Sequence, residues 1–348
     1  MKCSFHYNDN KKGAHKILTT RLEYQSRSEI EKQQFEKFKS QLYYLDNYST
    51  YYHKKLDEGN ISVDEIKNLD DLRKIPLTLF KEMKKEIDKI NDPFCGNLTV
   101  AWEQVYRFAP DFFENKVPNF IAYTENDWNL LSNLLTRIWY MAGIHTGDLV
   151  HVLTSEIDIR QRIFFQSLSQ IGAVTLNCMR QAMDAKRIMI TIKHLKPPFF
   201  IGPLAMAKAM INVCNFQLNV DPADYLKCYK TVIFTERTLK EEHKEHYREK
   251  GFSGEFYQFR HNCIASFFAI DCDQHQGLHI PEDYFIVEAV NPKTGEVVNE
   301  GEEGSLSITN LLFRATPQLR FTLPKEKIKI LKDTCPCGRN TARIVYTR

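Results

Sequence analysis

The sequence lacks any long hydrophobic segment. No apolar run approaches the roughly 20 residues that a helix needs to cross a bilayer. Residues 1–16 are polar and charged, without the apolar centre of a secretory signal peptide. These absences argue against a membrane-spanning or secreted protein, so we predict a cytoplasmic location.

A strong charge of either sign is also missing. The 47 basic and 44 acidic residues give a formal net charge of only +3. So small an excess argues against a protein built as a whole to bind nucleic acid or an anionic membrane. The 348 residues, 43% of them hydrophobic, are enough for one large domain or two closely packed lobes.

A disulfide framework is not expected in a cytoplasmic chain, so the nine cysteines are interpreted as thiols or metal ligands. Cys335 and Cys337 flank a proline in a compact turn, and Cys272 and His279 lie upstream. Three thiolates and one imidazole complete a closed tetrahedral zinc shell of the structural type. Two alternatives remain at this stage. His275 competes as the imidazole ligand, or the thiols are free turn cysteines and His279 is a core residue.

The hydrophobic pattern predicts an α/β protein in three regions. Residues 1–100 read as helical, with one helix over 20–57 and another from Ser62. Residues 101–254 alternate helices and short β-rich runs, which is typical of a parallel sheet covered on both faces. From residue 255 to 348 strands shorten and turns multiply, which predicts an antiparallel β lobe containing the metal site.

Several strings resemble the phenylacetate–CoA ligase branch of the adenylate-forming (ANL) family. They occur in the family's order over most of the chain: YYHKKLDEGNISVDEIKNLDDLRKIP (51–76), AGIHTGD (142–148), GLHIPEDY (277–284), NPKTGEVVNEGEEGS (291–305) and CPCGR (335–339). The resemblance implies a large N-terminal domain of layered sheets and helices, followed in the family by a mobile C-terminal domain that we expect to be absent here. It also implies zinc binding in the region of the four candidate ligands.

The family joins a carboxylic acid to ATP and then transfers the acyl group to coenzyme A, but the matching ATP motifs are degenerate. The family's phosphate loop is rich in Gly, Ser and Thr, whose small side chains and backbone N–H groups accommodate phosphate. The matching residues 111–116, from Asp111 to Lys116, contain none of these three types. Only Lys116 offers phosphate a positive charge.

The remaining nucleotide motifs are also altered. The family's magnesium-binding acid corresponds to His261, in the run that starts at Tyr257, and imidazole is a poor ligand for this hard ion. The adenine-side turn corresponds to Phe234–Arg237 around Glu236 and lacks glycine, whereas Gly202 is kept before Pro203. The run 320–325 contains no ribose-binding aspartate. We therefore expect neither ATP nor magnesium to be a cofactor.

Three functions compete. The first is a non-catalytic accessory protein that binds another protein, such as an acyl carrier protein or an enzyme that modifies or loads one. The second is an ATP-independent acyl transferase in which Cys263, two residues after His261, is the nucleophile. The third is an active carboxylate–CoA or carrier-protein ligase. For the accessory reading, the expected contact surface includes Leu311, Leu312 and Phe313 and the pair Phe112 and Phe113.

Overall fold

Ser49 divides the N-terminal helical region into two helices. The computed structural model describes residues 21–113, 117–153, 159–176, 185–235 and 240–347. In place of one helix over 20–57 it has a 3-10 turn (Arg21–Tyr24), α1 (Arg27–Tyr48) and α2 (Thr50–Glu58). Ser49 has extended backbone, and its hydroxyl accepts the Tyr52 N–H at 3.2 Å. A serine in this conformation is a good N-cap, so it ends α1 and starts α2.

The predicted helix from Ser62 is replaced by two short 3-10 helices, Val63–Glu65 and Leu69–Lys74. Ser62 and Asn68 each cap the one that follows. Side-chain caps so close together favour short turns over a continuous helix. The other described helices are α3 (Phe80–Ile90), α4 (Glu125–Met141), α5 (Ile159–Gln170), α6 (Ala185–Leu195), α7 (Leu204–Val213), α8 (Ala223–Leu226) and α9 (Glu241–Glu249). None of the helices in the described ranges is long and apolar enough to cross a membrane.

The strands form one large mixed sheet and a separate hairpin. In chain order they are β1 (Thr78–Leu79), β2 (Arg107–Phe113), β3 (Val117–Tyr123), β4 (Leu149–Val152), β5 (Val174–Leu176), β6 (Phe199–Gly202), β7 (Thr231–Phe234), β8 (Glu255–Asn262), β9 (Phe267–Ile270), β10 (Leu278–His279), β11 (Phe285–Val290), β12 (Gly304–Asn310), β13 (Phe321–Leu331) and β14 (Arg343–Tyr346). Within the described residues the sheet order is β11-β12-β13-β14-β10-β9-β8-β7-β6-β4-β5, with β1 beside β13. β2 and β3 pair only with each other there.

Strand β8 joins a parallel half of the sheet to an antiparallel half. It runs parallel to β7, through Phe234 opposite Gln258, and antiparallel to β9, through His261 opposite Phe268. β4 to β7 are parallel and alternate with helices, as the sequence pattern predicts. The strands beyond β8 pair antiparallel, except for β1.

The main core lies between α4, α5 and the middle of this sheet. Trp139 of α4 is fully buried, and its ring stacks on Phe259 of β8 at 5.3 Å between centroids. The first turn of α4 is fixed from both sides. Thr124 caps the helix, while the Asp127 carboxylate accepts the backbone N–H groups of Arg314 and Ala315 at 2.8 and 2.9 Å. Such caps contribute about 1 kcal/mol each and here also set the position of α4 against the β lobe.

A buried histidine lies in a second core, beneath α6 and α7. His151 of β4 has no exposed surface, and its Nδ1 is 2.6 Å from the Tyr229 hydroxyl. Its Nε2 has no hydrogen-bond partner within the described part of the chain. Burial lowers the pKa of His151 to about 3. The native protein therefore keeps this ring neutral where an unfolded chain would protonate it.

We expect His151 to make the protein sensitive to mild acid. Its folded pKa lies below the unfolded value of about 6.5, so the unfolded state binds the extra proton in between. The free energy of unfolding should therefore fall by up to about 1.4 kcal/mol per pH unit as the pH drops below about 6.5. The free energy of unfolding, measured by urea unfolding between pH 7 and 5, should change less with pH in the double variant His151→Phe and Tyr229→Phe than in the wild type.

The matched control is His194→Gln, which alters an exposed histidine. This control should keep the wild-type dependence of the free energy of unfolding on pH, because it leaves His151 and Tyr229 unchanged. Equal slopes for the wild type and the double variant would show that His151 is not the group responsible.

Candidate metal centre and nucleotide edge

Four side chains of the β lobe meet at one point. Cys272 follows β9, His279 lies in β10, and Cys335 and Cys337 lie in the turn between β13 and β14. One ligand atom from each lies within 4.8 Å of the others. The fold thus brings together all four residues that the sequence singled out as metal ligands.

The distances within this Cys3His cluster fit a tetrahedral zinc ion. The Sγ atoms of Cys272 and Cys335 are 3.7 Å apart, and the Cys337 Sγ is 3.5 Å from the His279 Nε2. Zinc bonds of about 2.3 Å to sulfur and 2.0 Å to nitrogen place tetrahedral S···S and S···N pairs about 3.8 and 3.5 Å apart. The donor set could therefore hold a metal ion in a closed site with four protein ligands.

The surroundings of the three thiols favour a bound cation, because buried thiolates need a nearby positive charge. Burial raises the pKa values of Cys272 and Cys335. Burial also acts to raise that of Cys337, but hydrogen bonds from His279 and Arg339 outweigh it and lower the Cys337 pKa to about 5. A cation that holds all three thiolates would relieve the cost of burying them.

Contacts around the cluster orient its ligands. The Nδ1 of His279 lies 3.1 Å from the Thr341 hydroxyl, which leaves Nε2 directed at the cluster. Arg339 places Nη1 3.5 Å from the Cys337 sulfur and donates its Nε–H to Glu23 at 2.8 Å. Such partners fix the orientation of metal ligands. Thr341 and Glu23 had no sequence signal that pointed to this role.

His275, the competing ligand, lies outside the cluster. Its Nδ1 is 2.7 Å from Asp271 and its Nε2 is 3.0 Å from Glu255, and its ring meets Tyr257 edge-on. The choice between the two histidines follows from strand pairing. His279 pairs with Ile270 of β9, beside Cys272, whereas His275 lies in the intervening loop.

Two of the candidate nucleotide residues, Gly202 and Tyr257, lie near the edge where the parallel strands end. Gly202 ends β6, and the chain after β7 leads to Glu236, which lies outside the described residues. A side chain at position 202 would place its Cβ 2.8 Å from the Leu153 carbonyl oxygen, so the close approach requires glycine. Tyr257 is buried in β8, and burial raises its pKa.

Sequence and structure comparisons agree on one group of relatives. No family model matches the chain. A phenylacetate–coenzyme A ligase of Thermus thermophilus is 24% identical over 324 residues, which are 93% of this chain and 71% of the relative. One from Pseudomonas putida is 25% identical over 339 residues, 95% of this chain and 73% of the relative.

Among solved structures, an open form of 2-hydroxyisobutyryl-CoA ligase with 2-HIB-AMP and CoA superposes with a TM-score of 0.85. It is 19% identical and covers 93% of this chain and 75% of its own. The chain is a homologue of the phenylacetate–CoA ligases. Its fold is that of the adenylate-forming CoA ligases, as its motifs predicted.

Three of the six residues at the expected phosphate-loop position of this CoA-ligase homologue belong to a β-hairpin. The sequence predicted a loop over residues 111–116, but Asp111, Phe112 and Phe113 continue β2 and pair with β3. The reason is the strand preference of aromatic residues, which extends the ladder toward the tip. Residues 114–116, including Lys116, lie outside the described residues.

His261, at the position of the family's magnesium-binding acid, is flanked by aromatic rings. Its ring lies beside those of Phe259 and Phe268, at 6.1 and 6.3 Å between centroids, and those two rings are 5.9 Å from each other. Strand β8 ends at Asn262, so His261 lies in the strand and Cys263 starts the turn to β9. A thiol–imidazole pair with a catalytic role there stays a prediction.

The predicted contact surface at residues 311–313 is wrong. Leu311 and Phe313 are only 1% and 3% exposed. Leu311 packs in the core under α1, Phe313 packs near Phe285, and Leu312 is partly buried against both cores. Their apolar character reflects the docking of the N-terminal helices on the β lobe, which the sequence pattern could not distinguish from an exposed patch.

We expect about one tightly bound zinc per chain at the Cys3His cluster. Cys337→Ser should release the metal and lower the free energy of unfolding by several kcal/mol, since metal binding and local folding are coupled. Elemental analysis and urea unfolding with and without a chelator measure both effects.

The matched control is Cys263→Ser, a partly buried thiol outside the cluster. It should keep the metal and the wild-type response to the chelator. A gently purified wild-type protein that neither contains nor takes up zinc would contradict the assignment.

Proposed function

We propose that this CoA-ligase homologue no longer adenylates carboxylic acids and acts as an accessory protein that binds another protein. The observation that carries the proposal is His261, an imidazole beside two phenylalanine rings where the resemblance implies an acid for magnesium. Magnesium requires oxygen ligands in near-octahedral geometry and dehydrates reluctantly. Neither an imidazole nor a phenylalanine ring supplies an oxygen ligand.

The hairpin at the phosphate-loop position supports the same conclusion. Phosphate binding by a loop depends on several backbone N–H groups that point at one anion, and glycine permits that geometry. Pairing of Asp111 with Asn119 and of Phe112 with Pro118 instead uses this backbone within a regular ladder. The Asp111 carboxylate would also repel phosphate.

Arg320, which starts the run 320–325 where the resemblance implies the ribose-binding aspartate, has a structural role in this chain. Arg320 is fully buried and pairs with Glu288 at 2.9 Å. Its guanidinium also donates to the carbonyls of Ile75 at 2.6 Å and Gly295 at 2.9 Å. These bonds connect the N-terminal region to the β lobe, and the residues that follow contain no carboxylate before Glu326.

Zinc fits the proposal as a structural ion. The cluster offers four protein ligands, so an ion bound by all of them has no position left for substrate. The ligands come from separated parts of the chain, and binding would hold the loop at 335–340 on the sheet. The metal would therefore stabilise the lobe and take no part in a reaction.

The expected result is no acid-dependent ATP–pyrophosphate exchange above background and no Mg–ATP binding by calorimetry. An aromatic and fatty acid panel tests it, with the phenylacetate–CoA ligase of Thermus thermophilus as the positive control. An exchange rate normal for enzymes, roughly 1 per second or faster, would refute the proposal.

The acyl-transferase reading is tested with the same preparation. Acyl-CoA thioesters are offered to wild type and Cys263→Ala, and transfer to a second thiol is followed. Transfer that disappears in Cys263→Ala would replace the accessory role with catalysis. We expect no transfer from either protein.

A further inference from the structure

The positive charge of the chain is concentrated in one part of the sheet-and-helix half. Residues 185–235 contain seven Lys or Arg and two Asp, a formal net charge of +5. The whole chain carries +3, so the remaining residues together carry −2. A local excess of this size gives one face a positive potential that the overall charge conceals.

The basic residues share a surface formed by α6, α8 and the loops beside them. Lys193 of α6 lies over the ring of Tyr225 in α8, at 5.6 Å. Lys196 follows α6, and the N–H of Lys230 donates to the Pro198 carbonyl at 2.7 Å, which brings the chain after α8 beside the end of α6. In the described part of the chain no carboxylate pairs with Lys193, Lys196 or Lys230, and all three are exposed.

Exposed apolar side chains accompany these cations. Ile190 of α6 is 46% exposed and Leu195 is 49% exposed. Phe216 is 82% exposed, on a π-helical turn (Cys214–Leu218) that packs against α6. Single π-helical turns are frequent at functional sites, and an exposed phenylalanine among lysines provides an apolar anchor within a charged rim. We call Ile190, Lys193, Leu195, Lys196, Phe216 and Lys230 the basic face.

We propose that the basic face docks a small acidic helical protein of the acyl-carrier-protein type. The inference rests on the proposed function, because it names the partner of the accessory protein. Carboxylates along a helix would pair with the lysines, while an apolar residue of the same helix would cover Phe216. Charge complementarity of this kind gives fast association that weakens with salt.

An acidic protein fits the basic face better than an anionic membrane does. The apolar side of α6, with Ile188, Met189 and Ile192, is already buried in the core, so only the separate side chains of Ile190 and Leu195, and no continuous apolar face, are left to meet lipid. Asp221 and Asp224 are exposed beside the lysines. These carboxylates would repel anionic headgroups but can pair with a basic residue of a protein.

The basic face is remote from the nucleotide edge. Strand β6 ends at Gly202 on that edge, whereas α6 ends just before β6 starts. Helix α7 follows β6 and returns toward the start of the strands, and the π-helical turn with Phe216 comes at its end. The face therefore lies where the parallel strands begin, at the opposite edge of the sheet. A carrier docked there is held by its protein surface, so binding should not depend on its phosphopantetheine arm.

Binding is tested on the full chain with acyl carrier protein from the source organism, in apo and holo forms. We expect equal affinity for both forms, and a loss of roughly tenfold or more between 50 and 250 mM salt. Lys193→Glu with Lys196→Glu should weaken binding at least about tenfold, and Phe216→Ser should weaken it at every salt concentration. The matched control, Lys81→Glu with Lys85→Glu, reverses the charge of two exposed lysines of α3 and should bind as tightly as the wild type.

Several results would overturn the proposal. The first is that neither carrier form binds, and the second is that only the holo form binds. The third is that the control pair at Lys81 and Lys85 loses as much affinity as the pair at Lys193 and Lys196. Vesicles with about one third anionic lipid are tested in parallel, and binding to them without carrier binding would assign the face to membranes. Pyrophosphate exchange is measured on the same samples, because exchange would refute the loss of ATP chemistry while leaving the docking result intact.

Discussion

The pairing of β8 on both of its edges is the constraint on which the rest of the structure depends. Parallel pairing with β7 extends the helix-covered half of the sheet, and antiparallel pairing with β9 starts the β lobe. The nucleotide edge and the Cys3His cluster are therefore parts of one continuous sheet. A one-residue slip of β8 would exchange the faces of Phe259 and Arg260, which would remove the Trp139 stack and expose the buried core.

Buried ion pairs fix the peripheral elements to that sheet. Arg137 of α4 binds both Glu23 and Asp283, and Glu23 also binds Arg339 beside the cluster. Arg27 of α1 binds Glu282 in the lobe at 2.6 Å. Removal of one partner from such a buried group leaves an uncompensated charge, a cost of about 3–5 kcal/mol. The N-terminal segment and the metal loop are thus stabilised together.

The two edges of the parallel strands differ in chemistry. The edge where they end has a glycine that the packing requires, and the sequence lacks the glycine-rich loop and the magnesium-binding acid that the resemblance implies. The edge where they begin has unpaired lysines around Phe216. The proposed loss of ATP chemistry and the exposed lysines and phenylalanine at the opposite edge are both consistent with a scaffold that binds a partner.

The sequence by itself determined the fold family, the alternation that builds the parallel strands, and the thiol ligands. The fold family followed from the resemblance of several motifs, and the rest from local patterns: hydrophobic periodicity and a compact Cys-Pro-Cys turn. Only the tertiary structure decided between His275 and His279, because strand pairing places one ring beside Cys272. It also buried residues 311–313, since burial depends on which helix docks. The basic face likewise emerges only when α6 and α8 fold side by side, because charges that are distant in sequence form a surface through packing.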